Sequence, residues 1–514
     1  MPPRTAIRTV VAGAAAVALL ATTAAPASAA PVSASAPGGE LRIFSLEPVS
    51  LIPSDATDRT SMLVLRQLHS GLVDYALDGT PVLDLAESIE SVDNQQWSIE
   101  ISPGYAFHDG DPVDAEAFIQ GWDRASQGPN AHLFARIASV EQVDDFGLLV
   151  TLDEPFAGFP ALLGHTAFFP VAPGCLEMGD FCNENPIGNG PYQIVGSWEH
   201  DVGITLQRFD GYPDPGQALP DVLSYQIYPD LDAGCQAVRF GQLDVMFPIP
   251  SQCRPGDTLP PNDGYFAEDS NAVNYLGLPS YLPELADPRV RRALSLAIDW
   301  EQVVGAAFDG RLALAGGLAG PHVTGARPAA CVDCRYDPVE AQALLAEAGG
   351  WSGGELALWA PAGSGHESWL TLVGDQLQAN LGIDYRLEVG LALPDYLALA
   401  EAGGFTGAFW QGWDPDYPVL DAYLTPQFRT GAPANYSGYA NPDVDDLLAA
   451  GDAEPDPAGT IALYQEAEDV ILADLPVIPM WFDQWEAVYA DTVDQFVWNL
   501  FTGPEYGLTT LHQN

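Results

Sequence analysis

The chain has 514 residues, 47% apolar and 10% aromatic, which is enough to fill several cores; this excludes a disordered chain and predicts roughly two to four domains. Its 18 basic residues are all arginine and face 70 acids, a net charge of −52, so phosphate backbones are repelled and nucleic acid is excluded as a partner. The lack of lysine also excludes Schiff-base and P-loop-lysine chemistry.

In chain order, residues 1–29 read as a secretion signal. Arg4 and Arg8 precede an apolar run over 10–20, and Ala27-Ser28-Ala29 is a small-residue cleavage site. Residues 30–37, rich in Ala, Pro and Ser, form a flexible stem. No later stretch approaches the about 18 apolar residues of a membrane span. The expected location is outside the cytoplasm, secreted or periplasmic. The first cysteine is Cys175, so no lipid-anchor cysteine lies near the cleavage point.

Residues 41–44 read as a strand and 61–72 as a helix. Short alternating runs at 97–101, 148–152, 204–209, 222–228 and 243–247 read as further strands, so this half is mixed α/β. His108-Asp109-Gly110 is a tight turn before a capped helix. Gly188-Asn189-Gly190-Pro191 reads as a turn whose glycines adopt positive φ. Asp109, Asp111, Asp114 and Glu116 lack the EF-hand calcium spacing.

In the second half, Asp287-Pro288 and Asp337-Pro338 open two helices as N-cap and first-turn proline, and a third covers 460–473. Arg289, Arg291 and Arg292 are expected to pair with surface acids. Six cysteines in an exported chain point to disulfides. Their order suggests Cys175–Cys182, Cys235–Cys253 and Cys331–Cys334, although six cysteines allow other connectivities. The alternative of zinc at Cys331 and Cys334 lacks a second ligand pair.

No nucleophile elbow, zinc-protease pair, Walker loop or dinucleotide fingerprint is present. Catalytic residues, metals and cofactors are therefore not expected. Weaker enzymatic readings are a Ser364/His366 pair with no assignable orienting acid and an Asp414/Asp416 glycosidase pair.

Five blocks carry a family likeness. They are Phe107 to Glu116 (FHDGDPVDAE), Asn185 to Tyr192 (NPIGNGPY), Asp287 to Asp299 (DPRVRRALSLAID), Tyr336-Asp337-Pro338 with its helix, and Asp474 to Pro479 (DLPVIP). In this order the chain resembles the peptide/nickel class of solute-binding proteins of ABC importers. The resemblance implies a two-lobed, type II periplasmic-binding-protein-like α/β fold with an extra third domain and hinge closure. Lobe I would combine 38–55, 186–276 and 477–514. The appended domain II would be 56–185, and lobe III 277–476.

It also implies a peptide ligand, ABC permease subunits as partners, and a monomer. Asp416, in Gly412-Trp413-Asp414-Pro415-Asp416-Tyr417, falls where relatives hold the carboxylate that meets the peptide's amine. Trp413 would wall a side-chain pocket, and Gly412 and Asp414 would offer backbone groups, with Tyr417 completing the motif. His366 would approach the peptide's carboxylate, and Glu47 would lie on the facing wall. Trp410 stands where some relatives carry arginine. Since a fold does not fix its ligand, a receptor for a glycan, nickel complex or haem is the second reading and a secreted hydrolase the third.

Overall fold

The computed structural model describes residues 38–214, 216, 219–254, 264–363 and 365–512. The secretion signal and stem lie outside these residues.

Strand β1 (Glu40–Ser45) leads to helix α1 (Arg59–Leu68) and then to a four-stranded antiparallel sheet. That sheet contains β2 (Ala86–Glu90), β3 (Gln96–Ile101), β4 (Ile137–Gln142) and β5 (Gly147–Leu152), with α2 (Ala115–Ser126) between β3 and β4 in sequence. β3 alternates buried and exposed residues along its length, as a strand with one wet face must. The short strands β6 (Tyr192–Ile194), β7 (Gly203–Arg208), β8 (Val222–Ile227) and β9 (Val245–Met246) follow.

The second half contributes β10 (Gly264–Gly277), β11 (Leu356–Trp359), β12 (Tyr385–Glu388), β13 (Gly407–Trp413) and β14 (Val477–Tyr489). Its helices include α3 (Pro288–Leu296), α4 (Pro338–Glu347), α5 (His366–Leu381), α6 (Asp421–Phe428), α7 (Pro442–Ala453) and α8 (Pro457–Asp474). Asp287, Asp337 and Asp456 cap α3, α4 and α8, each accepting a bond from a first-turn amide.

A single ten-stranded sheet runs β12-β11-β13-β10-β14-β9-β1-β8-β7-β6. The fold is the mixed α/β, two-lobed one that the sequence predicts. Strands β10 and β14 are antiparallel neighbours in the middle of the sheet. Gly264–Asp269 pairs with Gln484–Tyr489, and Val273–Gly277 pairs with Val477–Phe482. Their ladder breaks between Asp269 and Val273. There Asn271 ties three segments together: its side chain donates to Leu500 O and accepts from His322 N, and its carbonyl accepts from Tyr423.

Three large hydrophobic cores are separate. The first gathers β1, α1 and β6–β9, the second lies within residues 52–182, and the third within 273–482. The half-buried Tyr417 packs against both the second and the third.

Three expectations need correction. The first helix begins at Arg59 and stops at Leu68, because the Leu68 carbonyl is taken by the Gly190 amide at 2.8 Å. Gly188 and Gly190 do not adopt positive φ. They are glycine because a Cβ would lie 1.9 Å from Leu68 O at the first and 2.6 Å from the His69 amide at the second. His108 fastens this approach, accepting from Gly188 N and contacting Gly190 O; burial lowers its pKa to about 4, so it is neutral there.

The third correction is Arg291. It is 3% exposed and pairs with no surface acid; it donates to the carbonyls of Leu285, Ala286, Asp474 and Leu475. Arg289 does pair with Asp287, and Arg292 pairs with the mostly buried Asp333.

The three expected cysteine pairs are joined as disulfides, Cys175–Cys182, Cys235–Cys253 and Cys331–Cys334. No described helix is long and apolar enough to cross a membrane.

Candidate functional site

One face of α1 repeats at helical spacing: Arg59, Met62, Leu63 and Arg66. All four line a cavity of about 320 Å³, together with Tyr75, His165, Phe501 and the loop Asp414-Pro415-Asp416. Its walls therefore come from segments far apart in sequence. The loop itself follows β13, whose Gly412 and Trp413 are held in the ladder opposite Asn274 and Val273.

The charges lining this cavity are not equivalent. Arg59 Nη2 donates to Asp414 Oδ2 at 2.6 Å, and the guanidinium lies 5.1 Å from the centroid of Trp485. Arg66 pairs with Asp74 and lies over the Tyr75 ring. Burial lowers the His165 pKa to about 4, and its Nδ1 accepts from the Ala167 amide, so it adds no positive charge at neutral pH.

Asp416 is left over. Its side chain is open to the cleft, and among the described residues no donor or ion-pair partner satisfies it. Burial pushes its carboxyl above the ordinary range. His132 works against that shift, and the charge of Asp414 adds to it. Asp483, outside the cavity lining, is raised by burial as well, with Asp414 again contributing, while its hydrogen bond from Asn274 opposes the shift. Two carboxylates thus line this cavity, and Arg59 neutralises Asp414 while Asp416 keeps its charge unpaired. Such a cleft selects a cation.

The other expected residues are placed elsewhere. Trp413 donates through Nε1 to Ala422 O at 2.8 Å and packs on the third core. Tyr417 donates to Asp421 Oδ2 at 2.8 Å and meets Phe156 edge-on. His366 is 8% exposed, accepts from Trp369 Nε1 at 3.0 Å and lies 4.7 Å from the Trp410 ring. Trp410 in turn donates to Asn274 Oδ1, and Asn274 bonds Asp483. Glu47 contacts His200 Nδ1 at 2.5 Å and accepts from the Asp201 amide. Gly412, Trp413, Tyr417, His366 and Glu47 are not among the residues lining the Asp416 cavity.

Sequence reasoning missed Arg59, Arg66, Tyr75, His165 and Phe501. Arg66 lies in the predicted helix, but Arg59 falls before its expected start, so their shared face becomes visible only once the helix is seen to begin at Arg59. Phe501 carried no readable signal.

Residues 80–435 match the middle region of the bacterial extracellular solute-binding proteins, family 5. A glutathione-binding protein, GsiB of Shigella dysenteriae, is 28% identical over 87% of this chain and 89% of its own length. The periplasmic murein tripeptide binding protein MppA of Escherichia coli, in an unliganded open form, superposes with a TM-score of 0.81 at 23% identity, covering 91% of this chain and 96% of that one. The periplasmic binding protein DppA of Helicobacter pylori, in complex with the peptide STSA, superposes with a TM-score of 0.71 at 22% identity over 93% and 99%.

Proposed function

The chain belongs to the bacterial extracellular solute-binding proteins of family 5, and on that premise we propose that it captures peptides between its lobes and passes them to an ABC-type permease. Asp416 is the anchor in this reading, taking the peptide's free amine in a charge-assisted hydrogen bond. The observation that carries it is the isolation of this carboxylate. It lines a 320 Å³ cavity, a volume within the range of small-ligand sites, and its neighbours Asp414 and Arg66 are each satisfied by another protein charge.

The relatives' ligands support the same class: one is named for glutathione, one for a murein tripeptide, and one was solved with a tetrapeptide. The lobe boundaries belong to this proposal: lobe I as 38–55, 186–276 and 477–514, domain II as 56–185, and lobe III as 277–476. The three separate cores support them. Export of a monomer to the cell surface, and closure about the break in the β10–β14 ladder on ligand binding, belong to the proposal as well. His366, Trp413, Gly412, Tyr417 and Glu47 serve here as supports for the cleft and its strands.

Mass spectrometry of the small molecules released by denaturing protein purified from its native secretion tests the reading. Peptides with free amines are expected. A glycan, a nickel complex or haem recovered in their place would overturn it.

A further inference from the structure

The seam between the second and third cores contains polar groups that the proposed amine site does not use. Asn94 lies in the hairpin between β2 and β3, is 5% exposed and has φ 55°, a left-handed conformation that only a few residue types accept readily. Its carbonyl accepts from Trp97 Nε1 at 3.0 Å and from the Phe156 amide at 2.8 Å. Its side-chain amide crosses the seam and donates to Asp452 O at 3.1 Å and Glu454 O at 2.8 Å. These are carbonyls at the end of α7, which has no further turn to satisfy them. A residue of one core thus caps a helix of the other.

Beside it the charges are unequal. Arg136, just before β4, has its guanidinium 4.2 Å from the Phe156 centroid and reaches Asp452 Oδ2 at 3.5 Å. Asp452 on α7 is 4% exposed and accepts from Tyr464 of α8 at 2.5 Å. Asp421 at the start of α6 is fully buried and accepts from Tyr417 and Thr425. Arg429 and Glu154 pair at the seam's exposed rim at 3.3 Å. Two buried carboxylates therefore share one guanidinium, and a buried net negative charge is expensive.

We infer that the Asn94–Arg136 face of the second core and the Asp421–Asp452 face of the third form a separable clasp that takes up a proton as it closes. The sign follows from Asp452. Burial and then Asp421 raise its pKa to about 7, against the pull of Arg136, Tyr464 and Arg429. With the faces apart, Asp452 keeps Asp421 and Tyr464 and loses Arg136, but water reaches its helix end and relieves desolvation, the largest cause of the shift, so its pKa falls toward the ordinary carboxylate value of about 4. The docked form holds more protons, so docking strengthens as pH falls below about 7 and weakens as pH rises through it.

Hydrogen exchange of the full, ligand-free chain between pH 8 and 5.5, corrected for intrinsic exchange rates, reads the clasp without any ligand. The side-chain amide of Asn94, whose two bonds cross the seam, should become about tenfold or more better protected at the lower pH. Asp452→Asn, which keeps shape and removes the charge, should be protected at both pH values as the wild type is at pH 5.5. Arg136→Met should show a wider gap between the two pH values, since both acids then lack their cation. Amides of the β10–β14 ladder serve as the folding control and should not change. Protection of the Asn94 side-chain amide independent of pH in the wild type would overturn the inference. So would an Asp452→Asn protein that retains the full pH response, or, should that variant misfold, an Arg136→Met protein whose response matches the wild type.

Discussion

Arg59 and Asp414 are 355 residues apart in sequence and joined at 2.6 Å across the cleft. The pair removes from contention one of two neighbouring carboxylates that look alike in the sequence. It leaves Asp416 as the group that needs a cation from outside the protein.

Asp416→Asn should therefore weaken binding of free-amine peptides by about two to four decades, because removing one partner of a buried charge pair costs about 3–5 kcal/mol. An amino-acetylated peptide should bind the wild type poorly and lose little more on substitution. Isothermal calorimetry on both ligands and both proteins gives the double comparison. Equal affinities of wild type and variant for the free amine would show that the anchor lies elsewhere.

The pH profile should follow from the raised Asp416 carboxyl. A peptide amine stays protonated below about pH 7, so between pH 7 and 4 Asp416 is the anchor group that titrates. Affinity for free-amine peptides should fall as pH drops through a midpoint above the usual carboxylate value. The acetylated peptide provides the baseline for any contribution of the seam. A flat profile for the free amine relative to that baseline would contradict the assignment.

Ligand-free stability should change in the opposite sense. A carboxyl whose folded pKa is raised holds its proton more tightly in the native than in the unfolded chain. Ionised Asp416 thus costs stability above its folded pKa, and the cost vanishes below the unfolded value of about 4. Asp416→Asn should raise the melting temperature at pH 7 and leave it unchanged near pH 3.5, as read by scanning calorimetry. A lower melting temperature at pH 7 would mean that the carboxylate has a structural partner.

Arg291→Ala should be among the most damaging single changes in the third core. It strands four carbonyls that the buried guanidinium now satisfies, and buried groups left unpaired cost about 1–3 kcal/mol each before relaxation. Urea unfolding monitored by tryptophan fluorescence should place its midpoint well below that of Arg289→Ala, whose side chain is exposed.

Of the disulfides, Cys235–Cys253 closes the longest loop, with a separation of 18 residues, against 3 for Cys331–Cys334. In the loop-entropy account its loss costs about 3 kcal/mol, and the shorter bridge contributes less. Replacing Cys235 and Cys253 together by serine should lower thermal stability clearly more than replacing Cys331 and Cys334. Thiol titration of the denatured, unreduced protein should find no free cysteine.

Local pattern was enough for much of the fold. The Asp-Pro pairs at 287 and 337 predicted capped helices because a side-chain oxygen and a fixed φ act within one turn, and the structure has both. The alternation around Trp97 predicted a half-buried strand for the same kind of reason. Glycine was legible and its cause was not. Gly188 and Gly190 read as turn residues, but the demand for glycine comes from the backbone of Leu68 and His69, about 120 residues earlier in the chain. Arg291 read as one of three surface arginines on an acidic protein. Two of its four carbonyls, Leu285 and Ala286, lie just before α3, but only the meeting of α3 with the end of α8 supplied the other two and turned it away from the surface acids.

The sequence by itself determined the mixed α/β class, the family blocks whose resemblance implies two lobes, and the position of the Asp414-Pro415-Asp416 loop. All of these depend on short-range geometry or on residues adjacent in the chain. Tertiary structure decided which of the two carboxylates is spent. It set Arg59 against Asp414, laid Arg66 on Tyr75 and Asp74, and left Asp416 facing the cavity. A helical period specifies which face of α1 turns inward, but the charge that face will meet is fixed by packing across hundreds of intervening residues. The availability of a carboxylate for a ligand depends on the partners it already has.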